Sequence, residues 1–291
     1  MNCGIIDKDN AMALTLMYIT NNPLVAKIAQ QAGVDRIWVD MEWIGKEDRQ
    51  AGMNTVKSHH TLEDIAKLRP VVTTSTLMAR INPIHEPTKE YCGSREEIED
   101  TIRSGAEVIM LPMFKTVQEV ERFIGYVDGR ATTQLLLETK EAYELVDKVL
   151  DVPGFDEIYI GLNDLHLAFG QKFMFEPLCD GKVDRLARKF RDKGIKFGFG
   201  GIARVGFGML PAEYIIAEHY KLGSSAAILS RGFCNMNLVE DPEDVRDLFI
   251  EGVKRIRERE VEVSQFSPGQ FADNHEVVKR IVSKLLISNR V

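Results

Sequence analysis

The 291-residue chain is 44% hydrophobic and 28% charged, a balance that can bury a large core, keeps the surface polar and speaks against a disordered or membrane chain. Its net charge of −7, with no unbroken basic stripe, speaks against a nucleic-acid partner, and no run nears the roughly 18 apolar residues of a membrane span. The first residues lack the basic segment and apolar run of a secretory leader, and Cys3, Cys92, Cys179 and Cys234 form no C-x-x-C pair, so a cytoplasmic protein with plain thiols is expected.

Taken in chain order, short apolar runs alternate with segments of helical spacing. Ala13 to Ile19 reads as a strand and Pro23 to Ala32 as a helix, with Pro at home in the first turn. Asp35 to Met41 is the second strand. After the polar stretch from Gly45 to His60, a helix runs from Thr61 to Leu68, opened by a capping box of Thr61 and Asp64. The third strand is Ser75 to Ile81, followed by a helix that Ser94 caps and that ends at Gly105. Val108 to Phe114 is the fourth strand, with a helix from Thr116 to about Val127. Gln134 to Glu138 and a helix from Glu141 to Leu150 form the fifth unit. Glu157 to Gly161 and the helical Asp180 to Lys193 form the sixth, Lys196 to Ile202 and Ala212 to Leu222 the seventh, and Ala226 to Leu229 is the eighth strand.

Eight such alternations predict an α/β fold, a (β/α)8 TIM barrel over residues 1–239. The strand Val108-Ile109-Met110-Leu111 is apolar on both faces, as parallel strands covered on both sides are. No dinucleotide glycine fingerprint follows the first strand, which favours the barrel over an open doubly wound sheet. Residues 240–291 read as a C-terminal helical extension of the same domain. Its two helices, Pro242 to Glu260 and His275 to Leu286, are joined by a Ser267-Pro268-Gly269 turn. They carry apolar stripes (Val245, Leu248, Phe249, Val253; Val277, Val278, Ile281, Leu285, Leu286) that must be buried, either on the barrel or in a homo-oligomer, and the oligomer is the expectation.

Chemistry in such a barrel sits where strands end on the C-terminal face. The polar residues there are Asp40 and Glu42, Arg80 and Asn82, Lys115, Glu138, Asn163 and Asp164, Gly200 and Gly201, and Ser230 and Arg231. Glu138 ends the run Leu135-Leu136-Leu137 and Asp164 follows the next strand, so the two carboxylates fall close together. They repel unless one is protonated or a cation lies between them. Hard oxygen ligands without a histidine pair suit Mg2+ first and Mn2+ second. The alternative is a helix cap and a salt bridge. Arg80, inside a strand, needs an anion: a substrate carboxylate held bidentately, or Glu42 or Asp40 in an internal ion pair.

Leu136 to Ala142 reads Leu-Leu-Glu-Thr-Lys-Glu-Ala, and Val149 to Leu165 contains Asp-Val-Pro-Gly-Phe-Asp and Gly-Leu-Asn-Asp-Leu. Together they resemble the signature of the HpcH/HpaI aldolase and citrate lyase beta-subunit family. Val39-Asp40-Met41-Glu42, Ala79-Arg80-Ile81-Asn82-Pro83 and Met110-Leu111-Pro112-Met113 resemble its second, third and fourth strands. The similarity covers about residues 13–232. The resemblance implies a metal-dependent carbon–carbon lyase or aldolase, with a divalent metal on Glu138 and Asp164. Arg80, Glu42, Gly161 and Asn163 would bind a 2-oxo acid such as pyruvate or a related carboxylate, the backbone N–H groups after Gly161 contributing.

Two departures matter. Trp43 follows Glu42 where the family's aldolase branch has a catalytic His, and Arg103 occupies the place of its acidic relay partner. The long glycine- and arginine-rich loop before the fifth strand is reduced to Asp128-Gly129-Arg130. The citrate-lyase branch lacks that His as well. Arg80 therefore stands with His85, and then His166, as the candidate catalytic groups; His59 and His60 lie in the second loop or at its helix start. Trp43 either walls the substrate or packs in the core, and the core is expected. Two other readings are open. One is a phosphoenolpyruvate-type enzyme using Gly198 to Gly201 as a phosphate cradle. The other is a carboxylate-binding relative that has lost its base.

Overall fold

The computed structural model describes residues 13–45, 59–89, 91–235 and 241–288. The strands are β1 (Thr15–Ile19), β2 (Arg36–Asp40), β3 (Thr76–Arg80), β4 (Val108–Leu111), β5 (Thr132–Leu137), β6 (Glu157–Ile160), β7 (Lys196–Ile202) and β8 (Ala226–Leu229). All pair in parallel in sequence order, and β8 returns to β1, closing the barrel. Helices cover its outside, and the barrel predicted from the alternation is the one formed. Among the described residues no helix is long and apolar enough to cross a membrane.

Because side chains alternate along a strand, each strand sends every second residue inward. Met17, Trp38, Met78, Val108, Met110, Leu136, Tyr159 and Ala226 fill the barrel interior. Their neighbours, such as Leu135 and Leu137, pack outward under the helices. The same step of two from Trp38, Met78, Leu136 and Tyr159 reaches Asp40, Arg80, Glu138 and Gly161. These four form the top inward layer, and strand register sets Asp40 beside Arg80. At the other end Arg36 grips Glu157 with Nη1 and Nη2 at 2.7 and 2.8 Å, and Gln134 Nε2 donates to the same carboxylate. That fork closes the barrel floor.

Several local expectations change. The helix after β5 breaks at Leu145 into Lys140–Glu144 and Val146–Leu150. Ser94 is the first residue of its helix (Ser94–Arg103), not its cap. Gly93 holds the cap position, and the Ser94 hydroxyl instead accepts the His85 backbone N–H at 2.8 Å. The short helices Leu162–Ala168 and Glu176–Cys179 follow β6, in a stretch without a clear apolar period. Ser267-Pro268-Gly269 is not a free turn. Ser267 and Gln270 form a capping box, and the last helix runs from Pro268 to Ile287.

The helix Pro242–Ser264 packs along Pro23–Gln31 and Ala212–Leu222, burying Val245, Phe249, Val253 and Ile256. Arg257 donates to the Leu14 carbonyl at 2.8 Å and to Asp35 at 2.9 Å, while Glu260 accepts the Leu14 N–H at 2.6 Å. The extension is therefore clamped to the start of β1. In this chain its stripe is covered by its own barrel.

Candidate active site

The C-terminal mouth holds a cavity of about 540 Å3. Asp40, His60, Arg80, Glu138, Gly161, Asn163 and Asp164 are among its lining residues. Glu138 and Asp164, singled out in the sequence as neighbours, thus share one cavity. Glu138 is 3% exposed. Burial holds its carboxyl well above the ordinary range, and Asp164 and Glu42 push it further, against Arg80 and the Met113 N–H. That N–H donates to Glu138 Oε1 at 3.1 Å from a residue in the left-handed region, φ 54°, a conformation a non-glycine side chain rarely adopts outside such sites.

Gly161 is needed for space. Its φ of −78° is ordinary, but a Cβ there would stand 2.7 Å from Glu138 Oε2 and 2.8 Å from Glu138 Cβ. The glycine before Leu162 therefore lets the carboxylate lie across the end of β6. Arg80 donates through Nε and Nη2 to the two Asp40 oxygens, both at 2.8 Å, and Nη2 is 3.2 Å from Glu42. The internal ion pair is formed, in a guanidinium that also lines the cavity and lies 5.2 Å over the Trp38 ring. Burial alone would lower its pKa; Asp40 and Glu42 keep it charged. Glu42 is buried behind Arg80 and is not among the lining residues.

Asp40, Glu42 and Glu138 thus act on the Arg80 guanidinium, and Asp164 adds its charge against Glu138. A carboxyl buried as Glu138 is, with like charge on two sides, is the environment a dication relieves. No cluster of three or more His, Cys, Asp or Glu suited to a metal occurs among the described residues. An ion here would rest on two carboxylates and complete its shell with water and substrate oxygens, as Mg2+ does.

The two histidines named as bases are not brought to the mouth. His85 lines a separate surface hollow with Ser94 and Arg122. Its Nδ1 and Nε2 each sit 2.8 Å from a carbonyl, of Pro83 and Cys92. His166 is buried with Nδ1 3.1 Å from the Leu162 carbonyl. The histidine that does line the cavity is His60, whose Nδ1 accepts the Asp40 backbone N–H at 3.1 Å. Sequence reasoning named it but ranked it below His85 and His166, because the long connection after β2 conceals which of its residues returns to the strand end. The one usable signal was its place just before the Thr61 cap.

Trp43 is 41% exposed and meets the Tyr91 ring edge-on at 4.1 Å between centroids, so the expected core position is not taken. Its backbone N–H is held outside the barrel by Asn82 Oδ1 at 3.0 Å. Gly198 to Gly201 belong to β7, and Gly200 and Gly201 are among the residues lining the cavity. A Cβ at 198 would run into the Tyr159 ring and the Ala226 carbonyl. Gly198 makes room for Tyr159, whose hydroxyl donates to the Gly200 carbonyl at 2.5 Å and accepts the Ile228 N–H at 2.9 Å.

Residues 14–174 match the model of the family described as HpcH/HpaI aldolase/citrate lyase. A 2-keto-3-deoxy-L-rhamnonate aldolase of Shigella dysenteriae serotype 1 is 23% identical over 211 residues, 62% of this chain and 71% of that protein. Two solved structures share the fold. An HpcH/HpaI aldolase from Desulfitobacterium hafniense DCB-2 has TM-score 0.57 at 17% identity, over 84% of this chain and 93% of that one. The citrate synthase SbnG has TM-score 0.57 at 16% identity, over 77% and 89%.

Proposed function

Because the chain belongs to the HpcH/HpaI aldolase/citrate lyase family, we propose that it is a metal-dependent carbon–carbon lyase acting on a 2-oxo acid of the pyruvate type or a related carboxylate. The observation that carries this reading is Glu138, a carboxylate buried against Asp164 and Glu42 at the end of a barrel strand. Glu138 and Asp164 would hold Mg2+, with Mn2+ as the alternative. When bound, the ion supplies Lewis-acid stabilisation of the enolate oxygen. Arg80, fixed in one rotamer by Asp40 and Glu42, presents its charge to the substrate carboxylate from the next wall. The N–H groups following Gly161 offer donors beside Asn163.

The missing histidine at Trp43 bears on proton transfer and leaves this binding arrangement in place, so turnover, against binding without turnover, separates the lyase from a carboxylate-binding relative that has lost its base. The phosphoenolpyruvate reading would place its phosphate at Gly200 and Gly201, which line the cavity; dependence of turnover on phosphate separates it from the lyase. The test is a panel of 4-hydroxy-2-oxo acids with Mg2+, followed by pyruvate release coupled to lactate dehydrogenase. Release that stops with chelator supports the reading. A panel without any release, at metal levels that saturate the site, contradicts it.

A further inference from the structure

Arg80 has two anchors, and only one of them is fixed by strand register. β2 ends at Asp40, whose register partner in β3 is Arg80 itself. Met41 still donates its N–H to the Arg80 carbonyl at 3.0 Å. Glu42 lies beyond that bond, in the connection that leaves the strand. Its own N–H reaches Asp40 Oδ1 at 3.3 Å, at the long end of a hydrogen bond. Its carboxylate is nevertheless buried, 3.2 Å from Arg80 Nη2.

Asn82 holds the chain at this point. The backbone N–H groups of Trp43 and Ile44, the two residues after Glu42, both donate to Asn82 Oδ1 at 3.0 Å. An N–H only donates, so the amide oxygen faces them and the amide nitrogen faces away. On that side Nδ2 donates to Glu97 Oε1 at 2.7 Å, and the Asn82 backbone N–H donates to the same oxygen at 3.1 Å. Glu97 is buried in the helix Ser94–Arg103 and is not among the residues lining the cavity. Its second oxygen has no hydrogen-bond partner among the described residues. Burial raises its pKa, against the bonds from Asn82 and the charge of His85. Every bond this carboxyl makes thus goes to one asparagine, and that asparagine joins the ends of β2 and β3 to the helix.

We propose that Glu97 is a positioning residue for the substrate carboxylate: through Asn82 it keeps Glu42 on Arg80, and so sets the guanidinium that lines the cavity. This rests on the reading of Arg80 as the carboxylate anchor given above. Asp40 engages Nε and Nη2 from the strand, and Glu42 adds the second anchor on Nη2 from the connection. Without Glu97 the Asn82 amide loses the partner that fixes its orientation. Trp43 and Ile44 then lose their common acceptor, and Glu42 loses its fixed place. Glu138 and Asp164, which would hold the ion, stand outside this chain of bonds.

The role predicts a split between two affinities that a merely structural residue would not produce. Glu97→Ala should weaken pyruvate binding to the Mg2+-loaded protein, read by calorimetry, by about 10- to 100-fold, the scale of removing the outer partner of a ligating group, while Mn2+ affinity without pyruvate, read by water-proton relaxation, stays within about 3-fold of wild type. Glu97→Gln keeps the accepting oxygen and should recover most of the loss. Where Glu97→Ala does not fold, Asn82→Ala breaks the same link and must show the same split. The wild type gives a reading that needs no variant and no substrate. Its Trp43 and Ile44 N–H groups should be protected from hydrogen exchange, although the Trp43 side chain is exposed. Rapid exchange of both groups overturns the assignment. So does unchanged pyruvate affinity in folded Glu97→Ala, or an equal loss of pyruvate and Mn2+ affinity. If the Mg2+-loaded wild type binds no pyruvate, the lyase reading itself fails and takes this role with it; wild-type binding that persists unchanged in Glu97→Ala removes Glu97 alone.

Discussion

His219 should make the barrel acid-sensitive before most carboxylates titrate. It lies in the helix Ala212–Leu222, is fully buried, and stacks on Phe199 of β7 at 3.8 Å with the rings 9° apart. Nδ1 is 2.8 Å from Ser224 Oγ, and Nε2 has no hydrogen-bond partner among the described residues. Burial lowers its pKa from 6.5 to about 3. The unfolded chain therefore takes up a proton below 6.5 that the folded chain refuses. Stability from this group is complete above that pH and falls as pH drops toward about 3. Linkage gives about 2 kcal/mol lost between roughly pH 7.5 and 5, and about 5 kcal/mol over the whole shift, at about 1.4 kcal/mol per unit. At about 2 °C per kcal/mol for a chain of this size, Tm should fall by roughly 4 °C across the first interval. Glu218 next to it is held low, against its burial, by bonds from His275 and Lys221. Its contribution, present above the ordinary carboxylate pKa, is lost only in more acid solution. Denaturant melts of the wild type and His219→Phe across that interval provide the assay. The variant keeps a stacked ring and should lose about one proton's worth of slope. Equal slopes in both would refute the reasoning.

In chelator, Glu138→Gln should melt higher than the wild type near neutral pH, because burial and the neighbouring Asp164 and Glu42 make ionising this carboxyl costly in the folded chain. Mg2+ should raise Tm only in the wild type, through about 2.7 kcal/mol of added stability at one hundred times Kd; differential scanning fluorimetry reads both. Gly161→Ala puts a Cβ against Glu138 and should cost about 1–3 kcal/mol, together with at least tenfold in Mn2+ affinity measured by water-proton relaxation. Exposed Ile250, Val261 and Ile287 on the two C-terminal helices offer a surface for the homo-oligomer, so light scattering at micromolar concentration should give a multiple of 32.9 kDa; a monomeric mass counts against it. Removing residues 240–291 should now unfold the barrel itself, since Phe249, Val253 and Ile256 belong to its core.

The barrel was legible because eight apolar runs separated by helical spacing admit few arrangements, and because strand periodicity aims Asp40, Arg80 and Glu138 into the mouth by counting in twos from Trp38, Met78 and Leu136. Asp164 was reached from its place just after the sixth strand and then by motif, since it lies past the strand's own period, in the short helix Leu162–Ala168. Connections were not legible. Whether His60 or His85 returns to the mouth depends on how each loop folds back, and each ring is fixed by backbone groups, Asp40 N–H in one case and the Pro83 and Cys92 carbonyls in the other. Trp43 looked like core by residue type, yet a single bond from its N–H to Asn82 sets it outside the barrel. The C-terminal stripes were read correctly as needing cover, but sequence alone could not say that Arg257 and Glu260 would tie them to Leu14 and Asp35 of the same chain.

The central claim is that Glu138 and Asp164 hold a dication that makes a 2-oxo acid enolise at this cavity. It is tested most directly by proton NMR of pyruvate in deuterated water. Loss of the methyl signal should be catalysed by the Mg2+-loaded wild type, stop on addition of chelator, and be absent in a folded Asp164→Ala variant. Exchange that persists with chelator and in Asp164→Ala, or no exchange by the metal-saturated wild type, would contradict the account.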